Sequence, residues 1–159
     1  TNPYSFLSNF YIGEPIKFGG YDWQTGEHLY QAHKTLDGSS KGLEWFHKIR
    51  LASDPQEAKT FGRNAPLRSD WEEIKLEVMR LTVRAKFDNY DLSQKLLLTG
   101  YAYLQEGTLW NDKIWGVELV PNVVWYEREG TNWLGMVLLE QRAYLKILMM
   151  ERFVTNLVS

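Results

Sequence analysis

The chain of 159 residues contains no cysteine. Disulfides, thiolate nucleophiles and Cys-ligated zinc are therefore excluded, and a reducing setting such as the cytoplasm is expected. Histidine is scarce too, with three residues. A zincin helix needs His at i and i+4 with Glu directly after the first, whereas His28 and His33 are five apart and face different ways. His47 reads as a surface or capping residue. No metal and no cofactor is expected. The Gly-x-Ser-x-Gly spelling at Gly38-Ser39-Ser40-Lys41-Gly42 lies between two expected helices rather than between a strand and a helix, so it is no nucleophile elbow, and the glycines build no Walker-type phosphate loop. It shows no signal-peptide pattern and no apolar run long enough to span a bilayer, so no membrane role is expected. A net charge of −2 gives no global positive field to draw the chain to nucleic acid.

What remains is ordinary for a folded soluble protein: 44% hydrophobic and 24% charged residues. The length suits one domain over residues 1–159 with a core that needs no covalent staples. Aromatics reach 14%, including seven Trp, which serve a core and also offer flat faces for stacking a base. The numbering opens at Thr1 without a Met, so a leading segment is expected to lie outside it.

The order of elements reads as helix-dominated α+β. Gly19-Gly20 is a two-residue turn between Ile16-Lys17-Phe18 and Tyr21-Asp22-Trp23. Pairing Phe18 with Tyr21 sets Ile16 opposite Trp23 and Lys17 opposite Asp22, so apolar and charged pairs are satisfied together. The hairpin leads into a helix capped by Thr25, and Asp37-Gly38 breaks that helix. A second helix is expected over 43–52, carrying Trp45, Phe46 and Ile49. Asp54-Pro55-x-Glu57 starts a third that stops at Gly62, leaving Arg63 just past its end. Ser69-x-x-Glu72 reads as a capping box for a fourth. That helix carries a core stripe of Trp71, Ile74, Val78, Leu81 and Ala85, with Lys75, Arg80, Arg84 and Lys86 mostly solvated. Asp91 caps a helix over 92–99 closed by Gly100. Strands are expected over 101–106, 117–119 and 123–126, with Gly107 and Asn111-Asp112 in loops. From Asn132 a helix runs to the C-terminus, apolar nearly all round, and so central or at a subunit contact.

Thr25 to Thr35 is the stretch that carries chemistry. At about 100° per residue, Tyr30 lies roughly −60° from Glu27, Gln31 roughly +40° and Lys34 roughly −20°. One face thus holds a carboxylate, a phenol, an amide and an ammonium. Glu27 and Lys34 are separated by roughly 10 Å of helix rise, enough for a small molecule between their heads. In the first turn the helix dipole favours an ionised Glu27, which suits a base, a nucleophile or a stabiliser of positive charge. On the residues alone, a solvated polar face with a loose charge pair is the competing account. Arg63, with Arg68 in the following loop, reads either as a cation complementing a helix end or as a phosphate contact.

Several ordered blocks carry a resemblance. They are Phe6-Leu7-Ser8-Asn9-Phe10-Tyr11, Trp23-x-Thr25-x-Glu27-His28-x-Tyr30-Gln31-Ala32-x-Lys34, Ala52-Ser53-x-Pro55, Gly62-Arg63 and Trp71-x-x-x-Lys75. Lys86-Phe87, Leu96-Leu97-Leu98-Thr99-Gly100, Asn111-Asp112-x-x-Trp115-Gly116 and Asn132-x-Leu134-Gly135 continue the series. Together they resemble the NADAR (YbiA-like) domain family, whose members carry a short Phe-Tyr-containing strand ahead of the first block. The resemblance implies a YbiA-like fold and an N-glycosidase with Glu27, Lys34 and Asp112 as catalytic residues, Asp112 lining the pocket to position water, the sugar hydroxyls or the departing base. Asn9, Phe10, Tyr30, Gln31, Arg63, Trp71, Trp115 and Asn132 are the expected substrate contacts. Implied substrates are ribosylamino-pyrimidine intermediates of riboflavin synthesis, or ADP-ribosylated guanine as a nucleotide or on nucleic acid. The alternative is a module that binds ADP-ribose or a nucleotide without cleaving it. After Gly116 the sequence departs from the family: the stretch 118–129 is longer and apolar-aromatic, an altered substrate-facing loop or an extra hairpin.

Overall fold

A computed structural model describes residues 2–108 and 112–158; Asn111, expected in a loop, lies outside them. The chain divides into two compact units that part between Asn89 and Tyr90.

In the first unit β1 (Ile16–Phe18) and β2 (Tyr21–Trp23) form the expected hairpin, in register Ile16↔Trp23, Lys17↔Asp22 and Phe18↔Tyr21. Gly19 and Gly20 supply the positive φ of its turn, at 63° and 80°. Four helices follow: α1 (Gly26–His33), α2 (Ser40–Arg50), α3 (Pro55–Asn64) and α4 (Trp71–Lys86). α1 packs against the other three, and every residue from Gly26 to Ala32 is buried. Trp23, Phe46 and His33 close one side as an aromatic cluster, with Trp23 and Phe46 edge to face at 5.3 Å.

Helix boundaries show where local signals compete with packing. α2 starts at Ser40, ahead of the expected 43, because the Ser39 hydroxyl accepts from Gly42 N–H at 2.9 Å. Asp54 caps α3 as expected, accepting from Glu57 N–H at 2.8 Å. α3 runs past Gly62 to Asn64 and stops where Ala65, before Pro66, is extended. Arg63 is thus inside the last turn. The Ser69 capping box does not form: the N-cap of α4 is Asp70, whose carboxylate takes both Nε and Nη2 of Arg68 instead. Trp71, Val78, Met79, Thr82, Val83 and Lys86 are the buried residues of α4, whereas Ile74, Leu81 and Ala85 are only partly buried. Lys86, expected in solvent, is 2% exposed.

The second unit holds α5 (Tyr90–Leu98), β3 (Gly107–Thr108), β4 (Val117–Glu118) and α6 (Trp133–Val158). α5 begins before Asp91, and Gly100 follows it at φ 62°. β3 and β4 pair in parallel. The expected strand over 101–106 is irregular because side chains satisfy its backbone: Arg142 donates to Ala102 O at 2.9 Å and Asn132 Nδ2 to Leu104 O at 2.8 Å. Residues 123–126 are likewise no strand. After Asn122 at φ 64° the chain makes a 3-10 turn, Trp125–Glu127, where Gln105 Nε2 donates to Trp125 O. α6 buries Leu134, Val137 and Leu138 near its start. No helix among the described residues is long and apolar enough to cross a membrane.

Candidate active site

The N-terminal loop is fixed from two sides. Lys86 Nζ donates to Ser8 O at 2.6 Å, and Glu27 N–H donates to Asn9 O at 2.9 Å. The Asn9 side chain is buried, with Nδ2 on Met79 Sδ at 3.2 Å. Gly26 permits this approach, since a Cβ there would lie 2.9 Å from Asn9 Oδ1. Thr25 caps α1 and exchanges contacts with His28: its Oγ1 accepts from His28 N–H and lies 2.8 Å from His28 Nδ1. His28 Nε2 lies 3.2 Å from Ala52 O. A carbonyl only accepts, so Nε2 carries the proton and Nδ1 accepts from the Thr25 hydroxyl.

Glu27 is 6% exposed, so the polar face of α1 is not a solvated one. Its Oε1 accepts from Gln31 Nε2 at 2.7 Å. Gln31 in turn is pressed against α3: a Cβ at Gly62 would fall 2.0 Å from Gln31 Oε1. Gly62 is therefore a packing glycine that lets the amide stand where it orients the carboxylate. Gly62→Ala is expected to push Gln31 aside and remove that donor. A hydrogen bond to a charged group is worth about 1.5–3 kcal/mol, or roughly 10- to 100-fold in rate if it is needed at the transition state. Turnover measured beside the folded fraction by circular dichroism checks this; unchanged turnover in folded protein contradicts it.

Lys34 follows the last residue of α1. Its Nζ sits 5.5 Å from the Tyr30 ring centroid and 5.7 Å from that of Trp71. The two rings meet edge to face at 5.3 Å, both buried, so the ammonium lies in an aromatic corner on the flank of α1. Lys34 O accepts from Arg68 N–H at 2.9 Å. The Arg68 guanidinium holds the Asp70 carboxyl below the usual carboxylate range through their hydrogen bonds, so it is already engaged by an acid. Trp71 serves packing and corner together.

Of the remaining candidates in this unit, Phe10 is half-buried under Lys59 Nζ at 5.4 Å, and Arg63 is exposed on the last turn of α3. Asp112, Trp115 and Asn132 belong to the second unit. Asp112 Oδ1 accepts from Trp115 N–H at 3.2 Å, closing a turn, and Trp115 meets Trp133 edge to face at 5.6 Å. Asn132, at φ 52°, is 2% exposed and bridges Leu104 O and Glu106 N–H. A Cβ at Gly135 would lie 2.3 Å from Leu104 O. The Asn-x-Leu-Gly block is thus a clasp for the start of α6.

Sequence reasoning missed Lys86, Met79 and the packing role of Gly62. For Lys86 a signal existed: it continues, at three- and four-residue steps, the buried series Val78, Met79, Thr82 and Val83. For Gly62 the default meaning of a glycine near a helix end hid its role.

Burial lowers the pKa of both His28 and His33 from 6.5, against the raising effect of the Ala52 and Leu29 carbonyls. Each group therefore binds protons more readily unfolded than folded. Their contribution is complete above about pH 6.5 and lost as pH falls through the lowered values. The urea midpoint is expected to be level near pH 7.5 and to drop on going to pH 5.5. A midpoint that rises over that interval contradicts this.

The chain is thus helix-dominated α+β, with a buried acid in the first turn of α1 and a lysine in an aromatic corner just past its end. The NADAR domain family model matches residues 1–146, and the chain belongs to that family. N-glycosidase YbiA of Escherichia coli (strain K12) is 39% identical over 150 residues, covering 92% of this chain and 85% of that protein. The riboflavin biosynthesis protein PYRR of Zea mays is 34% identical over 149 residues, 88% of this chain but 23% of that longer protein. The NMR structure of E. coli YbiA superposes with a TM-score of 0.78 at 38% identity, over 95% of this chain and 83% of its own. The α+β expectation and the family resemblance thus agree with both sequence relatives and a solved fold.

Proposed function

We propose that the chain is an N-glycosidase that cleaves a ribosyl C1′–N bond, with a ribosylamino-pyrimidine as the substrate class. The observation that carries this reading is a buried, amide-oriented Glu27 in the first turn of α1, with Lys34 at the end of that helix in the Tyr30–Trp71 corner. The name of the maize relative, a riboflavin biosynthesis protein, supports the substrate class. Breaking the C1′–N bond develops positive charge at C1′, which a desolvated carboxylate stabilises more strongly than water does. In direct hydrolysis, water adds its oxygen to C1′ and the base departs with a proton on nitrogen. In the covalent variant the ring-opened sugar is held as an imine to the base amine. Lys34 passes a proton to the imine nitrogen and adds to C1′ as the free amine, the base leaves as its own amine, and water then hydrolyses the protonated lysine imine to sugar aldehyde and the lysine ammonium. Tyr30 and Trp71 supply flat surface beside the amine, and Arg63 reaches toward solvent as the phosphate contact.

The test is incubation with a ribosylamino-pyrimidine and, in parallel, with ADP-ribosylated guanine, with released base identified by mass. Release from the first supports the proposal. Release only from the second moves the substrate class and keeps the reaction. Saturable binding with no free base from either replaces the enzyme by a nucleotide-binding module.

A further inference from the structure

The C-terminal part of α6 shows an apolar face that lies mostly beyond the 146 residues matched by the family model. Ile147, Met150, Val154 and Leu157 are between 54% and 70% exposed. They recur at steps of three, four and three, and Ala143, also exposed, extends the series upward by a step of four. These five fall within a stripe of roughly 80° on the helix, the geometry of a coiled-coil seam, with exposed Phe153 flanking it and exposed Met149 further round on the same side. A helix that leaves such a stripe in water over roughly 21 Å presents a surface built for another apolar stripe.

The residue types say what kind. With Ile147 and Val154 at the a positions, Ala143, Met150 and Leu157 take the d positions. β-branched residues at a with Leu at d favour two parallel strands over three or four. In that register Lys146 is at g and Glu151 at e, so each Lys146 faces Glu151 of the other copy and opposite charges meet along the edge of the seam. Lys146 Nζ already donates to Gly100 O at 3.0 Å and lies over the Tyr101 ring, which holds it at that edge with two donors left. Glu140, at the next a position up, would set two carboxylates opposite each other and so marks where the seam begins.

We propose that this face is the interface of a homodimer in which two copies of α6 pair in parallel through Ala143, Ile147, Met150, Val154 and Leu157. The pairing is independent of the glycosidase reading, because none of its residues is placed in the active site.

The test uses the full chain and exploits its lack of cysteine. Sedimentation velocity from about 1 to 100 µM is expected to show monomer giving way to dimer, as suits a seam of about two heptads. Val154→Glu is expected to shift the midpoint upward by at least about tenfold while the circular dichroism spectrum stays that of wild type. Met150→Cys places two thiols across the seam, and Arg152→Cys places one on the opposite, outward side. Under mild oxidation the first should give a disulfide-linked dimer and the second none, since a bridge needs Cα atoms within about 7 Å. Monomer at every concentration overturns the proposal. So does a dimer indifferent to Val154→Glu, or crosslinking equal at the two cysteines.

Discussion

Glu27→Gln is expected to lower turnover by at least about 10²-fold, the usual loss when a catalytic acid–base or charge-stabilising group is removed. The substitution keeps size and keeps an oxygen to accept from Gln31 Nε2, which lies 2.7 Å from the carboxylate. It removes the negative charge alone. Glu27 N–H still donates to Asn9 O, and the buried surroundings of α1 are unchanged in volume. Folding should therefore be retained, and a neutral amide in a buried site is better tolerated than an ion. If charge at C1′ is what Glu27 stabilises, the loss falls on kcat, with KM little changed. A variant within a few-fold of wild type in kcat contradicts the role assigned to this carboxylate.

Lys34→Ala is expected to cost at least about 10²-fold as well, for a different reason. The Nζ group sits 5.5 and 5.7 Å from two buried rings, so its removal leaves Tyr30 and Trp71 in place while deleting the amine from their corner. Lys34→Arg separates the two mechanisms. A guanidinium keeps charge and ring contact but forms no imine, so it should restore activity if Lys34 acts as a cation and fail if it acts as a nucleophile. Borohydride added with substrate gives the complementary readout: a reduced adduct mapped to Lys34 supports the imine, and its absence assigns the direct route. Wild-type rates in both Glu27→Gln and Lys34→Ala would refute the pair.

Local signals were legible where they were self-sufficient. The hairpin register followed from a Gly-Gly turn and two matched pairs, and Thr25 and Asp54 cap helices because their side chains reach the next turn without help from elsewhere. Failures came where atoms outside the local signal decided. Residues 101–106 alternate like a strand, but Arg142 and Asn132, far along the chain, supply their hydrogen-bond partners. Ser69 had the spacing of a capping box, yet Arg68 drew Asp70 into an ion pair and the helix began one residue later. Lys86 carries a charge that composition places in water, and a carbonyl of the N-terminal loop draws it inside. At the site the same division holds. Helical spacing put Glu27, Tyr30, Gln31 and Lys34 on one face, whereas the contact of Gln31 with Gly62 needs the packing of α3 on α1.

The most direct measurement runs the reaction in ¹⁸O-water with a ribosylamino-pyrimidine, comparing wild type with Glu27→Gln. The account predicts label on the sugar, none on the released base, and a rate at least about 10²-fold lower in the variant. Label on the base, or equal rates in the two proteins, would show that the bond broken or the residue breaking it is not the one assigned.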